Sequence, residues 1–539
     1  MTRKWWQNAV LYQIYPRSFM DSNGDGVGDL RGIIHRLDYL ADLGIDAVWL
    51  SPIFTSPMAD FGYDVADYTD IDPLFGDLDT FDELLAGLHA RGIKLLLDWV
   101  PNHSSDEHPW FQESRSSRDN VYRNWYMWRD PKPDGSPPNN WQSFFGGSAW
   151  EWDAHTEQYY LHLFHKKQPD LNWRNPNVVQ AMYDTLRFWL DRGVDGFRMD
   201  VITFCYKHPD LPDNPPAKST IFGRDAEAFG GLEHVYDINQ PESHQMLREV
   251  RTLFDRYEGQ RVTIGETWFL EPQTLIPWYG DNDELHIPFN FMLMKAPWDA
   301  TAMRRIIADY EAALPEWAQP SWVLGSHDEH RLATRHGPQN HRSAGLLLLT
   351  LRGTPMMYNG DELGMQDVHI PVEKMIDPQG LGYPGEEQAY SRDPNRTPFQ
   401  WSDAPNAGFT TPEATPWLPL ASDYETVNAA AQAADLHSTL SFYKRLLAAR
   451  RTYRALHAGN FALIEDVPPD VLAYVREAEG QRCAVFINFA GTAREIDASA
   501  LGKAGEIILS TQFNEGHVAL DALRLQPHEG VLMRLDVMP

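Results

Sequence analysis

Two hydrophobic rhythms alternate along the chain. Short runs rich in β-branched and aromatic residues recur, each followed by a stretch whose apolar residues fall at helical spacing. The runs are Val10–Pro16 (VLYQIYP), Ala47–Pro52 (AVWLSP), Lys94–Pro101 (KLLLDWVP), Gly196–Asp200 (GFRMD), Thr263–Thr267 (TIGET), Leu285–Asn290 (LHIPFN), Trp322–Asp328 (WVLGSHD) and Thr354–Gly360 (TPMMYNG). Helical patterns such as Leu30–Leu43, Thr80–Arg91 and Val178–Arg192 stand between them. Strand–helix alternation implies parallel pairing, and eight such units predict an α/β chain built on a (β/α)8 TIM barrel.

The spacing is uneven. Roughly ninety residues separate the third and fourth runs, where barrel connections are usually short. Residues 102–170 carry Trp, Asn and Pro-Gly turn signals (PKPDGSPPNNW) and a strand-like piece, Gln158–Phe164, so a small inserted domain B is predicted there. A second long connection, Tyr206–Pro241, is rich in Pro, Asp and Gly and reads as either an ordered excursion or a mobile lid. After the helical pattern Ser438–Arg451 the texture changes to short alternating strands at Val471–Arg476, Cys483–Phe489, Glu506–Ser510 and Gly530–Leu535. These predict a C-terminal antiparallel β-sandwich domain. The expected organisation is a barrel over 1–101 and 171–455, domain B over 102–170 and the β domain over 456–539.

Composition narrows the partners. With 43% hydrophobic and 23% charged residues the chain is globular, and 539 residues suit three or four units at about 150 residues each. Lys+Arg 46 against Asp+Glu 76 leaves −30, which repels phosphate backbones and makes nucleic acid and anionic membranes poor partners. Cys205 and Cys483 are too few for a disulfide framework and fit a reducing compartment. The first residues, Met1–Gln7, have no apolar h-region, and the apolar run Ala344–Leu349 is too short to span a bilayer. A soluble cytoplasmic protein, monomer or homodimer, is expected. The aromatic surplus suits neutral polar ligands such as sugars, although core packing accounts for most of those rings.

In a (β/α)8 barrel the site is built at the C-terminal ends of the strands, so charged residues closing a run matter most. Asp200 closes GFRMD, Glu266 closes TIGET and His327-Asp328 closes WVLGSHD. Asp98 and His103 flank the end of KLLLDWVPNH, and Arg198 lies two residues before Asp200, on the same face of its strand. A lone strand-end carboxylate is more often a loop cap or a salt-bridged group. Several converging on one pocket fit acid–base or covalent work on a neutral substrate.

DWVPNH (Asp98–His103), QPDLN (Gln168–Asn172), GFRMD, GET (Gly265–Thr267) and SHD (Ser326–Asp328) resemble, in order, the signature regions of the α-amylase family, glycoside hydrolase family 13. VLYQIYPRSF, DSNGDGVGDL, PMADFGYDV and SRDPNRTPFQW are similar to its oligo-1,6-glucosidase and α-glucosidase branch. Ser326 departs from the usual Asn before His-Asp, and Phe399 from the Met common after Arg-Thr-Pro. The resemblance implies a retaining mechanism with Asp200 as nucleophile, Glu266 as acid–base and Asp328 on the ring hydroxyls, the last together with His327. It further implies that His103 contacts the 6-hydroxymethyl side, that Tyr63 stacks under the sugar, and that Asp60 and Arg396 clamp the 4-hydroxyl of a terminal glucose. Phe145 and Phe164 would wall the pocket. Such an enzyme is exo-acting. Glu266 must start protonated, while Arg198 is placed to keep Asp200 ionised.

Asp21, Asn23, Asp25 and Asp29, with the carbonyl of Val27, place oxygens at alternating positions after the first strand. The segment is either a solvated Gly-rich turn or a wrap for a hard cation, and the resemblance implies a structural Ca²⁺ or Mg²⁺ there. Cys205 reads as a buried inert thiol. Within the branch, α-1,6-cleaving members often carry Val after the nucleophile, where Val201 stands, and α-1,4-preferring ones Ala or Thr. The resemblance therefore implies release of glucose from short α-glucosides with α-1,6 favoured. A glucosyl transferase or a sucrose or maltose isomerase sharing the same covalent intermediate is the alternative. A non-enzymatic transporter subunit is disfavoured because Asp200, Glu266 and Asp328 are all kept.

Overall fold

The computed structural model describes residues 3–218 and 230–536. Every one of the eight runs overlaps a strand: β1 (Leu11–Ile14), β2 (Ala47–Leu50), β3 (Lys94–Trp99), β4 (Gly196–Met199), β5 (Val262–Glu266), β6 (Ile287–Phe289), β7 (Ser321–Val323) and β8 (Thr354–Tyr358). They pair in parallel in the order β6-β5-β4-β3-β2-β1-β8-β7. Between β6 and β7 the ring is bridged through Ser321, whose hydroxyl donates to the Pro288 carbonyl at 2.7 Å and accepts from the Asn290 N–H at 3.2 Å. The result is a nearly closed TIM-type barrel.

Alternation along the strands sorts the side chains. Phe197 and Met199 of β4 enter the large apolar layer shared with the surrounding helices, while Leu11, Trp49, Leu96, Ile264, Phe289 and Val323 form a separate cluster inside the barrel. Arg198, between Phe197 and Met199, therefore faces inward.

The helices follow their apolar patterns with three refinements. Thr80–Arg91 opens earlier, as Leu78–Ala90, because the Asp77 side chain accepts from the Thr80 N–H as its cap. Pro176–Arg192 begins after the Asn175 cap. The single helix expected over Leu30–Leu43 is two, Leu30–His35 and Leu37–Leu43, broken at Arg36 (φ −110°, ψ 10°). The Arg36 guanidinium lies over the Trp401 ring, 4.1 Å from its centre.

Between β3 and β4 the chain makes a three-stranded antiparallel sheet from Trp128–Arg129, Gln158–Leu161 and Trp150–Asp153. It leaves and re-enters at one point, where His103 and Asp170 form an antiparallel bridge. Residues 219–229 of the Tyr206–Pro241 connection, on which the choice between excursion and lid turns, lie outside the described residues.

At the C-terminal end, β9 (Asn460–Leu463), β10 (Val471–Ala478), β11 (Gln481–Asn488), β12 (Ala504–Ser510), β13 (Gly516–Ala519) and β14 (Gly530–Leu535) form an antiparallel sheet in the order β9-β10-β11-β14-β12-β13. Both faces of its central strands are buried. Val471 and Ala473 pack on Ile496, Leu523 and Leu525 of a second, two-stranded layer, whereas Leu472 and Tyr474 join Leu346 and Leu446 of the barrel helices. Among the described residues no helix is long and apolar enough to cross a membrane.

Candidate active site

Strand register assembles the charged centre. Asp98 of β3 is the direct neighbour of Arg198 in β4, and Arg198 in turn of Ile264 in β5, two residues before Glu266. One guanidinium then meets three carboxylates. Its Nη1 donates to Asp98 at 2.8 Å and Asp200 at 2.5 Å, and its Nη2 lies 2.6 Å from Glu266. All four side chains are buried. The Trp49 indole N–H and the Tyr63 hydroxyl donate to the second oxygen of Asp98 at 3.2 and 3.0 Å.

Immediately after Asp200 the backbone turns sharply. Val201 holds φ 35° and ψ 45°, a left-handed conformation that a β-branched residue rarely adopts. The turn aims the Val201 N–H at Glu266 Oε2, 2.9 Å away, and ties the ends of β4 and β5 together.

Burial dominates the titration of this centre. It pushes Asp98 up to about 7 against the pull of Arg198. It likewise pushes Asp200 well above the usual carboxylate range; Arg198 opposes that shift, and Glu266 and Asp98 reinforce it. Arg198 is the largest influence holding Asp200 towards its charged form, and it is shared among three buried carboxyls. Asp328 behaves oppositely. Burial disfavours its charge, but His327, Arg396, Arg392 and Arg198 outweigh it and hold the carboxyl well below the usual range.

Above the centre opens a pocket. Asp60, Tyr63, His103, Phe145, Phe164, Asp200, Glu266 and Asp328 all line it. Arg198, His327 and Arg396 are not among the lining residues. The two His327 ring nitrogens face Gln13 at 2.6 Å and the Tyr63 hydroxyl at 2.7 Å, and the Tyr63 and His327 rings stack with centres 5.4 Å apart.

The expected pairing of Asp60 with Arg396 is corrected. Arg396 is fully buried and donates to the His327 carbonyl at 2.8 Å and to Asp328 at 2.9 Å. Arg392, which lines the pocket, donates to Asp60 at 2.7 Å and is held from behind by Asp377 at 2.6 Å. Both arginines belong to SRDPNRTPFQW and flank one 3-10 turn, Asp393–Asn395, whose orientation decides which of them reaches the pocket. Sequence reasoning also missed Phe144, Trp268, Phe291 and the Lys295–Glu329 ion pair, all on the pocket wall. No motif singled them out. Phe399 lies away from the pocket, packed on Trp401 with ring centres 4.4 Å apart.

The segment after β1 is a coil of side-chain turns. Asp21, Asn23 and Asp25 each accept the N–H two residues on, at 2.9, 2.9 and 2.8 Å, and Asp29 caps the helix Leu30–His35 through the Gly32 N–H at 2.6 Å. Among the described residues no three His, Cys, Asp or Glu gather as a metal site. Carboxylate, amide and carbonyl oxygens at alternating positions nonetheless form a donor set suited to a hard cation. Cys205 is buried, and burial pushes its thiol up, consistent with an inert group.

The profile of the α-amylase catalytic domain matches residues 13–459. The chain belongs to the α-amylase family. Within that family it is 39% identical to an oligo-1,6-glucosidase of Parageobacillus thermoglucosidasius, over 99% of this chain and 100% of the relative. Among solved structures, the α-glucosyl transfer enzyme XgtA is 42% identical with a TM-score of 0.91, covering 99% of this chain and all of that one. The trehalulose synthase MutB from Pseudomonas mesoacidophila MX-45 is 37% identical with a TM-score of 0.91 and the same coverage. The protein is a glycoside hydrolase of the α-glucosidase and oligo-1,6-glucosidase group.

Proposed function

We propose that the protein is a retaining, exo-acting α-glucosidase that releases glucose from the non-reducing end of short α-glucosides and favours α-1,6 linkages. The observation that carries the reading is the single guanidinium of Arg198 bridging Asp200 and Glu266 at 2.5 and 2.6 Å. Two carboxyls that share one guanidinium are neighbours, which supports a covalent intermediate, for which they would stand about 5 to 5.5 Å apart, whereas inversion needs room for a water between them. An Asp200 oxygen attacks the anomeric carbon as the glycosidic bond breaks, and Glu266 gives its proton to the leaving oxygen. Glu266 then takes a proton from the water that attacks the ester, and Asp200 leaves as a carboxylate.

Asp328 would hold ring hydroxyls, Tyr63 would lie beneath the ring, and His103 would face the 6-hydroxymethyl arm. Asp60 with Arg392 would close the pocket at the 4-hydroxyl, the feature that supports exo action. Phe145 and Phe164 would wall the sugar. We further propose that Asp21, Asn23, Asp25, Asp29 and the Val27 carbonyl hold a structural Ca²⁺ or Mg²⁺, and that the protein is cytoplasmic. Transfer of the glucosyl unit to a sugar hydroxyl is the second reading, favoured by the transfer enzyme and the trehalulose synthase that share the whole fold.

Asp200→Ala and Glu266→Gln should each abolish turnover on a panel of sucrose, maltose and isomaltose, with wild-type glucose appearing first as the α anomer. A variant keeping more than about a tenth of kcat/KM, a loss of only ~1.4 kcal/mol, would remove that residue from the chemistry. Initial release of β-glucose would overturn retention.

A further inference from the structure

His103 is buried between two side-chain amides. Asn102 Nδ2 lies 3.1 Å from its Nδ1, and Gln168 Nε2 lies 3.1 Å from its Nε2. Burial, then the charge of Lys207, hold its pKa down to about 3, so the ring is neutral. A neutral imidazole has one N–H and one lone pair, and it can accept from only one of the two amides.

Charges behind the ring decide which. Lys207 is buried; its ammonium donates to Asn102 Oδ1 at 2.7 Å and pairs with Asp170 at 2.6 Å. Turning the Asn102 amide over would press its NH₂ against the ammonium, two donors face to face without water. Its NH₂ is thereby fixed toward His103 Nδ1. Gln168 is held differently, with its Oε1 accepting from the His165 N–H at 2.9 Å and its NH₂ donating to Asp60 at 3.1 Å.

We propose that Lys207 is a positioning residue that, through Asn102, fixes His103 as the tautomer with its proton on Nε2, facing the pocket as a donor to the C6 hydroxyl of the glucosyl unit. The proposal rests on the glucosidase reading of the pocket. The His103 Nε2–H and the Gln168 NH₂, the latter fixed by His165 and Asp60, then oppose each other as two donors 3.1 Å apart, on the pocket side of the ring where one hydroxyl oxygen accepting from both would relieve the opposition. Lys207 touches no substrate. Its effect is to choose which ring nitrogen carries the proton.

Histidine-selective ¹⁵N NMR of the whole protein reads the tautomer, with His103 assigned as the signal missing from His103→Gln. The expected wild-type state is Nε2-protonated. Asn102→Asp keeps the partner for Lys207 but offers Nδ1 an acceptor, and should move the proton to Nδ1. It should lower kcat/KM about tenfold or more for 4-nitrophenyl α-glucoside and less than about twofold for the 6-deoxy analogue, because only the first presents the hydroxyl. Lys207→Met combined with Asp170→Asn removes both buried charges together, frees the amide, and should show the same selectivity for the hydroxyl to a smaller degree. A wild-type proton on Nδ1, or equal losses on both substrates, would overturn the proposal. A wild type inert toward the aryl glucoside would sink the glucosidase reading, while the NMR tautomer would still judge this one.

Discussion

Val201 shows how one residue acts through backbone and side chain at once. Its strained turn positions an N–H on Glu266, and its side chain lines the pocket beside Asp200. A branched apolar wall there crowds a leaving sugar joined through a ring carbon, whereas one joined through the flexible C6 arm can swing clear. Wall differences of about a methyl group are worth roughly 1 to 3 kcal/mol, a 10- to 200-fold preference. Isomaltose should therefore exceed maltose in kcat/KM, and Val201→Ala should shift the ratio toward maltose about tenfold, with Val201→Thr moving it the same way. Kinetics on both substrates check this; a ratio unmoved by either change would remove Val201 as the determinant. At this scale Asp98, Asp200, Glu266 and Asp328 were legible because each closes an apolar strand pattern. Arg392 was not, since a turn separates it from Arg396 and nothing local says which way that turn faces.

Among the elements, the loop from Asp21 to Asp29 stands apart, because its alternating oxygens are ordered by three successive side-chain turns rather than by a sheet or helix. Gly26 takes φ +92°, and a Cβ there would lie 2.0 Å from the Thr415 carbonyl, so the coil is pinned against the 411–416 segment. A cation bound only by the folded coil would stabilise the protein by about 2.7 kcal/mol at a hundredfold excess over its Kd. Chelation should accordingly lower Tm while leaving turnover in the cold intact, since the proposed ion is structural. Calorimetry before and after chelation, with metal analysis, decides it; an unchanged Tm with no metal found would make the loop a solvated turn. Elements with strong periodicity were read correctly in kind. The break at Arg36 was missed because the apolar spacing runs through it unbroken.

The whole molecule carries an unusual proton balance for so acidic a chain. Burial pushes Asp64 and Asp361 up to about 6 and Asp98 and Glu362 up to about 7. The fold thus keeps protons that the unfolded chain releases near pH 4. The stability these groups contribute is complete below that value and is lost as pH rises through 6 to 7. Burial also holds His103, His108, His162, His165, His336 and His341 down to about 3 or 4, which favours the fold as pH rises towards 6.5, so the carboxyl contribution is read as a difference: the Tm of the wild type relative to Asp98→Asn should fall between about pH 5 and 8 by scanning calorimetry. A difference that stays constant over this interval would mean that Asp98 is charged in the fold.

The sequence by itself determined the barrel, the antiparallel C-terminal sheet and the carboxylates at the strand ends. Those features follow from periodicity along the chain and from the rule that parallel strands present their C-terminal ends to one face. Tertiary structure alone decided what each charge meets. Asp98, Arg198 and Glu266 come from three strands, and their sharing of one guanidinium depends on register between strands. Arg392 reaches Asp60 across 332 positions, and Lys207 reaches the Asn102 amide across 105. Contacts so distant in sequence are set by how the layers pack, and no local pattern encodes them.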